Sequence, residues 1–286
     1  CQLGCGPVIK DPAEPDPNKR YTMVLKPPQE KAVRVAYSPD GKHWDDSTRI
    51  DNTPEWEEEQ QVHGRRQDIV VLLRDDQDPD PQRRYKVVWQ SIAKPNKPGP
   101  EDVRSKSLAY GPDVENLTDS PANPIISPND GLEQEIHFLM LAPYRGMYVM
   151  PYEYGYYVPN NTGVFGSYCA DIRLAFSRDG EHYERIQPHQ KVIVRGQRGE
   201  WDDGFLVISD KPVIKDDKIY LYYCGQGEDW TCWPGTNKPP TYQYPSSGTV
   251  RVSRMGLATL RLDGFTCLET TDRETPGSVT TAPIDV

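Results

Sequence analysis

Short apolar runs separated by turn-forming residues recur along the whole chain. Four of them are rich in β-branched and aromatic residues and lie at 21–25 (YTMVL), 85–89 (YKVVW), 147–150 (MYVM) and 219–223 (IYLYY). Short runs of this kind, bounded by polar turn formers, are typical of β-strands. No segment of useful length combines a helical period with capping residues. The pattern therefore predicts an all-β protein.

A second strand follows each run and ends in a polar turn. These strands lie in VRVAYSPDGKHW (33–44), KSLAYGPD (106–113), IRLAFSRDGEHY (172–183) and LATLRLDGF (257–265). Asp-Gly between two extended segments is a strong hairpin signal. A further apolar stretch precedes three of the runs, at 69–73, 136–141 and 205–208. Each repeat is thus predicted to form three or four antiparallel strands over roughly 65–85 residues.

Four repeated sheets, none of which is stable alone, indicate a β-propeller. We predict a five-bladed ring whose fifth blade is incomplete or is closed by the terminal segments, with a four-bladed ring as the alternative. Residues 1–265 are predicted to form the propeller. Residues 266–286 are predicted to be a C-terminal tail, either the start of an accessory β domain or a strand that closes the ring.

The phrase Asp-Pro-x-x-Arg-Tyr occurs twice, at 16–21 (DPNKRY) and 80–85 (DPQRRY). Proline fixes the turn through its restricted φ, and Arg-Tyr leads into the apolar run. The phrase is therefore predicted to connect the first and second strands of a blade and to have a structural role. Arg20 and Arg84 are predicted to pair with nearby carboxylates.

Composition excludes some partners and leaves others open. The formal net charge of −10 argues against nucleic acid, since a phosphate backbone requires a basic surface. No apolar run approaches the roughly 20 residues of a membrane helix, so no transmembrane segment is predicted. The 28 Pro, 22 Gly and 17 Tyr residues favour turns and strands. The sequence leaves the oligomeric state open.

Several features indicate a secreted, periplasmic or cell-surface protein. The chain has 6 cysteines, starts at Cys1 without Met, and carries possible glycosylation sequons at Asn116 and Asn160. Cys224 and Cys232 flank a short loop and are predicted to form a disulfide. Chance sequons and reduced core thiols are the alternative interpretation. A start at Cys1 fits a processed lipoprotein and a truncated sequence equally well.

Three carboxylates are candidate catalytic groups. When the repeats are aligned on their second-strand tyrosines, Asp68, Glu135 and Asp203 fall at the starts of successive inner strands, whereas the first repeat has Gly4 there. Inner-strand starts face the mouth of a propeller channel, and glycosidic-bond hydrolysis needs one protonated and one ionised acid. The chain contains 43 acidic residues, so structural ion pairs are an equal alternative. Neighbouring acids that could replace the three are Glu133, Glu200 and Asp202.

Further residues near these positions are candidate substrate-binding groups. Aromatic ring faces beside acids suit sugars, although packing between blades also uses aromatic residues. No Cys or His spacing matches a zinc site, and there is no nucleotide-binding loop, so no cofactor is predicted. Nothing in the sequence indicates a structural Ca²⁺ in the channel. The candidate substrate-binding residues are His63, His137, Asp171, Trp201, Asp202, Glu228 and Trp230.

Several phrases resemble a bacterial group similar to the N-terminal domain of glycoside hydrolase family 32. They are DPDPQRRYKVV, AFSRDGEHYERI, GEWDDGFLVISDKPVIKDDKIYLYYCG and MGLATLRLDGF, and the resemblance covers about residues 60 to 265. It implies membership of the five-bladed propeller glycosidases of families 32, 43, 62, 68 and 117. In these proteins three acids at inner-strand starts act as base or nucleophile, as a group that tunes and orients, and as general acid.

The chain departs from the better-known members of that superfamily, since it lacks the Asn-Asp-Pro and Arg-Asp-Pro motifs of family 32. Glu135 is predicted to be the general acid, because EIHFLML is apolar and desolvation would raise its pKa. Asp68 is predicted to be the base or nucleophile, and Asp203 the third acid.

The sequence is compatible with three functions. The leading prediction is a glycoside hydrolase that acts at chain ends of a plant or algal polysaccharide, or on an oligosaccharide. The alternatives are a non-catalytic carbohydrate-binding propeller and a protein-interaction propeller. Convergence of the three acids, with carboxyl groups about 5–10 Å apart, would favour catalysis.

Overall fold

The computed structural model describes residues 6–26, 33–45, 47–50, 67–93, 103–129, 132–157, 168–185, 187, 190–197, 200–226, 253–266, 274 and 278. Within these ranges the chain forms 15 β-strands and two short 3₁₀ turns, and no α-helix. The prediction of an all-β protein is confirmed. The described part of the chain also has no helix long and apolar enough to cross a membrane.

The first two repeats are separate four-stranded antiparallel meanders, each with its strands in chain order. Unit 1 contains β1 (Val8–Lys10), β2 (Tyr21–Leu25), β3 (Arg34–Ser38) and β4 (Thr48–Arg49). Unit 2 contains β5 (Gln67–Arg74), β6 (Tyr85–Ala93), β7 (Val103–Gly111) and β8 (Thr118–Asp119). In both units the third strand pairs with a very short fourth strand at the edge.

The third and fourth repeats share one seven-stranded sheet. A single parallel bridge between Ala170 and Phe205 joins the two units. In unit 4 the first two strands pair in line with the same third strand, so they act as one interrupted inner strand. Unit 3 contains β9 (Ala142–Tyr144), β10 (Met147–Tyr157) and β11 (Tyr168–Ser177). Unit 4 contains β12 (Phe205–Ile208), β13 (Val213–Lys215), β14 (Lys218–Gln226) and β15 (Arg254–Arg261).

Apolar side chains are buried mainly between consecutive units. One cluster joins units 1 and 2, a second joins units 2 and 3, and a third joins units 3 and 4. A strand that is buried on both faces needs a continuous apolar run, which explains the lack of clean alternation in these segments. Stacking of twisted meanders in chain order is the packing expected of propeller blades. The number of blades stays a prediction.

The two copies of the Asp-Pro phrase form the same loop. Each contains a 3₁₀ turn, Pro17–Lys19 or Pro81–Arg83, capped by the preceding aspartate, whose Oδ1 accepts a backbone N–H at 2.9 Å. Both loops connect the first strand of a unit to the second strand, which confirms the predicted position.

The predicted ion pairs of Arg20 and Arg84 are not met among the described residues, where their buried Nε atoms lack a hydrogen-bond partner. The residue before Arg84 makes the ion pairs instead. Arg83 donates to Asp78 at 3.1 Å and to Glu181 of unit 3 at 2.9 Å. The loop of unit 2 is therefore tied to the neighbouring unit.

The Asp-Gly turns of units 1 and 3 are also built alike. In each, one Asp oxygen accepts the backbone N–H groups two and three residues on, and the other lies 2.7 Å from a histidine Nδ1. Gly41 and Gly180 have φ of +75° and +79°, a conformation that favours glycine. Local side-chain chemistry therefore accounts for both turns.

Cys224, the first half of the predicted disulfide, is a free thiol among the described residues. Its predicted partner, Cys232, lies outside the described residues. Asn116 is exposed, and its Nδ2 donates to both carboxylate oxygens of Asp113 at 2.8 and 2.9 Å. Asn160 lies outside the described residues.

Candidate active site

The three predicted acids lie where inner strands begin. Asp68 is the second residue of β5, and Asp203 lies two residues before β12. Glu135 precedes β9 and forms an isolated antiparallel bridge with Gly155 of β10. In each unit the inner strand starts at one end of the sheet, and the loop to the second strand lies at the opposite end. Three successive units therefore each carry an acid at the start of the inner strand.

Glu135 has two polar partners on one carboxylate oxygen. Arg104 Nη1 donates to Glu135 Oε2 at 2.7 Å, and His137 Nε2 lies 2.7 Å from the same atom. The side chains of all three residues are partly exposed, at 16% for Glu135, 26% for Arg104 and 12% for His137. These surroundings differ from the apolar environment predicted from EIHFLML, since Ile136 lies on the opposite face of the strand. A guanidinium in contact favours an ionised carboxylate.

Behind this group lies a buried pair, Lys106 and Glu153. Lys106 Nζ donates to the carbonyl of Ile136 at 2.7 Å. Glu153 accepts the hydroxyl of Tyr168 at 2.6 Å and the backbone N–H of Phe138 at 2.9 Å. Burial lowers the pKa of Lys106 to about 7 and raises the pKa of Glu153. Two fully buried titratable groups therefore hydrogen-bond to the segment that carries Glu135.

Asp68 is exposed and has an unusual backbone conformation. Its φ is +24°, and the β5–β6 pairing shifts register across it, between Gln67 and Ile69, as in a β-bulge. Such strain in a residue other than glycine is common at functional sites. Asp68 and Glu135 both act electrostatically on Lys106, which places the two acids near the same buried amine.

Asp203 lies beside an arginine that holds its backbone. Arg195 Nη1 donates to the carbonyls of Asp203 and Gly204 at 3.0 and 3.2 Å. Arg195 Nη2 donates to the hydroxyl of Tyr156 at 2.6 Å. The start of β12 is therefore fixed to β10 of the neighbouring unit.

Asp171, a predicted substrate-binding residue, is the buried anion of this network. Its side chain is 1% exposed and forms ion pairs with Lys191 Nζ at 2.9 Å and Arg195 Nε at 3.3 Å. A carboxylate with this burial and these partners is positioned to neutralise cations. The structure thus gives Asp171 a supporting position below the start of β12.

Trp201 and Asp202 pack against Tyr223 of β14. The Trp201 and Tyr223 rings are stacked, with centroids 5.9 Å apart and planes 18° apart. Asp202 is 7% exposed and accepts the Tyr223 hydroxyl at 3.2 Å. The predicted residues His63, Glu228 and Trp230 lie outside the described residues.

Three residues of the Glu135 site have no counterpart in the sequence prediction. Arg104, Lys106 and Glu153 come from β7 and β10, the strands that flank the Glu135 segment. For Glu153 the sequence did contain a signal that could have identified it. It is the single acid of the apolar strand MYVMPYEYGYY. Which charged side chains come into contact depends on how neighbouring units pack, and this is not visible in the sequence. Within the described residues, no three His, Cys, Asp or Glu groups are arranged to hold a metal ion.

No protein-family model and no curated protein matches the sequence. Solved structures do match. One, described as a glycoside hydrolase, aligns with a TM-score of 0.55 and 13% identity over 89% of this chain. A glycosyl hydrolase from Bacteroides ovatus gives 0.51 and 14% over 91%, and a thermostable family-43 glycoside hydrolase gives 0.52 and 14% over 78%.

The chain has the fold of these glycoside hydrolases. This likeness agrees with the sequence resemblance to propeller glycosidases, and at these identities it shows the fold alone and leaves the number of blades a prediction. The three solved proteins are longer, and the chain spans 66%, 68% and 64% of their respective lengths.

Proposed function

We propose that this protein is a glycoside hydrolase whose reaction takes place at the inner-strand starts of units 2 to 4. The observation that carries the proposal is the Glu135 site, where a carboxyl group, a guanidinium and an imidazole meet at a partly open position. The shared fold with solved glycoside hydrolases supports the same conclusion.

Glu135 is proposed to act in its ionised form, as base or nucleophile. Arg104 and His137 stabilise its negative charge, which suits attack on the sugar or activation of water. This role differs from the general acid role predicted from its apolar neighbours. The role of general acid then falls to Asp68 or Asp203, the carboxyl groups at the neighbouring strand starts.

The substrate is proposed to be a poly- or oligosaccharide cut at its chain end. A propeller channel that is closed on one side accommodates a terminal sugar better than the middle of a chain. Product analysis distinguishes the two modes, because exo action releases one small sugar from the first time point. Endo action would give a ladder of intermediate lengths.

The test is a screen of aryl glycosides and polysaccharides with the wild-type protein, followed by three variants. Glu135→Gln should lower kcat by about 10²–10⁴-fold on every substrate, because both activated and poor leaving groups need the ionised acid. Of Asp68→Asn and Asp203→Asn, the variant that lacks the general acid should retain activity on activated aryl glycosides. Asp216→Asn is the control, since Asp216 is 77% exposed in the turn before β14.

The results can also favour the alternative. Equal and mild losses for all three variants would mean that the acids only bind sugar. Sugar binding by the wild-type protein without hydrolysis of any substrate would replace the enzyme by a carbohydrate-binding protein.

A further inference from the structure

The segment that carries Glu135 is held by backbone hydrogen bonds and, in addition, by two buried side chains. Backbone hydrogen bonds join it to β10 at Glu135, Phe138 and Met140, around bridges at Glu135 and Leu139. The two residues that flank His137 are bound by buried ionisable groups. Lys106 Nζ donates to the Ile136 carbonyl at 2.7 Å, and Glu153 Oε2 accepts the Phe138 N–H at 2.9 Å.

We propose that Lys106 and Glu153 are positioning residues that fix the backbone on both sides of His137 and thereby orient Glu135 and His137. The proposal rests on the proposed function for its catalytic consequence, and its structural part stands without it. Both side chains are fully buried, so neither can contact a substrate directly.

The charges around this pair make the device sensitive to pH. Lys106 is faced by Glu153 from β10, Asp68 from β5, Arg104 from its own strand and Glu135 from the supported segment. Burial lowers the pKa of Lys106 to about 7, so the amine changes charge near neutrality. The positive charge of protonated Lys106 offsets part of the negative charge of Glu153 and Glu135.

The sign of the effect follows from that compensation. Below the folded-state pKa, Lys106 is positive and acts electrostatically on Glu153 and Glu135. Above it, the neutral amine still donates to Ile136 but no longer balances the carboxylates. Because the positive charge of Lys106 favours the ionised form of Glu135, activity that depends on ionised Glu135 should fall as that charge is lost near pH 7.

The first measurement needs no substrate. In protein with ¹³C-labelled lysine, one lysine signal should titrate near pH 7 and should be missing from Lys106→Met. Glu153→Gln removes the carboxylate that favours the charged amine, so the same signal should titrate at a lower pH. Lys215→Met is the control, because Lys215 is 72% exposed and should leave that signal unchanged.

The second measurement uses activity. The wild-type kcat should fall above about pH 7, and Lys106→Met should lose that limb while KM changes little, because Lys106 does not touch the substrate. A lysine signal that titrates only above pH 9, or one that Glu153→Gln does not move, would overturn the proposal. An unchanged kcat profile in an active Lys106→Met protein would overturn it as well.

The outcomes separate this proposal from the proposed function. If Lys106→Met does not fold, the wild-type titration and Glu153→Gln still decide the structural part. If the lysine signals behave as expected but no glycoside is hydrolysed, the pair is real and the hydrolase function is wrong.

Discussion

Lys86 of β6 provides a direct test of how unit 2 is stabilised. Its ammonium group is completely buried and donates to Asp75 at 2.7 Å, to Asp78 at 2.7 Å and to the carbonyl of Arg83 at 2.9 Å. Tyr148 of unit 3 also donates to Asp75, at 2.6 Å. One cation is therefore shared by two carboxylates beneath the Asp-Pro loop and beside the next unit.

Lys86→Met keeps most of the side-chain volume but removes the charge. It leaves buried Asp75 without its cation and Asp78 with Arg83 alone, and breaking a buried pair in this way costs about 3–5 kcal/mol. That loss is a large fraction of the roughly 5–15 kcal/mol by which a domain is stable. Denaturant unfolding followed by circular dichroism measures it, with the exposed Lys215→Met as a control within about 0.5 kcal/mol of wild type.

The pH dependence of the loss provides a second check. Burial by itself would raise the pKa of Asp78, but hydrogen bonds from Lys86, Asp80 and Arg83 outweigh burial and lower it. Its stabilisation is therefore present above the ordinary Asp value of about 3.9 and is lost as the pH falls through the folded-state pKa. Without Lys86 the carboxylates can take up protons, so the deficit of Lys86→Met should shrink towards pH 4.

A loss below about 1 kcal/mol at pH 7, or one that is constant from pH 7 to pH 4, would refute this reasoning. The double variant Lys86→Met/Asp75→Asn should lose less than the sum of the two single losses, with a coupling above about 1 kcal/mol. Simple additivity would mean that the two groups do not form a pair in solution.

Two further predictions concern the turns of unit 3. Gly180→Ala should lower the free energy of unfolding more than Gly146→Ala. Both glycines have positive φ, which costs alanine about 1–2 kcal/mol, but only at Gly180 would the new Cβ lie 3.1 Å from the Tyr148 ring. Equal losses in denaturant unfolding would contradict the crowding. The hydrogen bond to Asp179 raises the pKa of His182, and Asp179→Asn should return the pKa to about 6.5 in an NMR titration. A His182 titration that Asp179→Asn leaves unchanged would show that the bond does not form.

Local chemistry determined much of the fold. The Asp-Pro loops and Asp-Gly turns follow from proline's fixed φ, from aspartate's ability to cap nearby N–H groups and from glycine's freedom at positive φ. Strand positions followed from the apolar runs between those turns, and the starts of the inner strands followed from aligning the repeats. These features depend on residues within a few positions of one another, so the sequence contains them directly.

The environment of each acid was decided by tertiary structure. Glu135 was expected to be desolvated because its sequence neighbours are apolar, yet strand alternation turns Ile136 away and brings in Arg104 from unit 2. Asp171 is neutralised by Lys191 and Arg195 from a later segment of the chain.

Lys106 and Glu153 show the same limit, because they lie on different strands and come close only when the two units pack together. Burial and ion pairing depend on distances between strands that are far apart in the chain. The sequence by itself determined the repeated sheets and the strand starts that carry acids. Only the packing of one unit on the next decided which charges meet there, since the free energy of a buried charge depends on partners that no local pattern specifies.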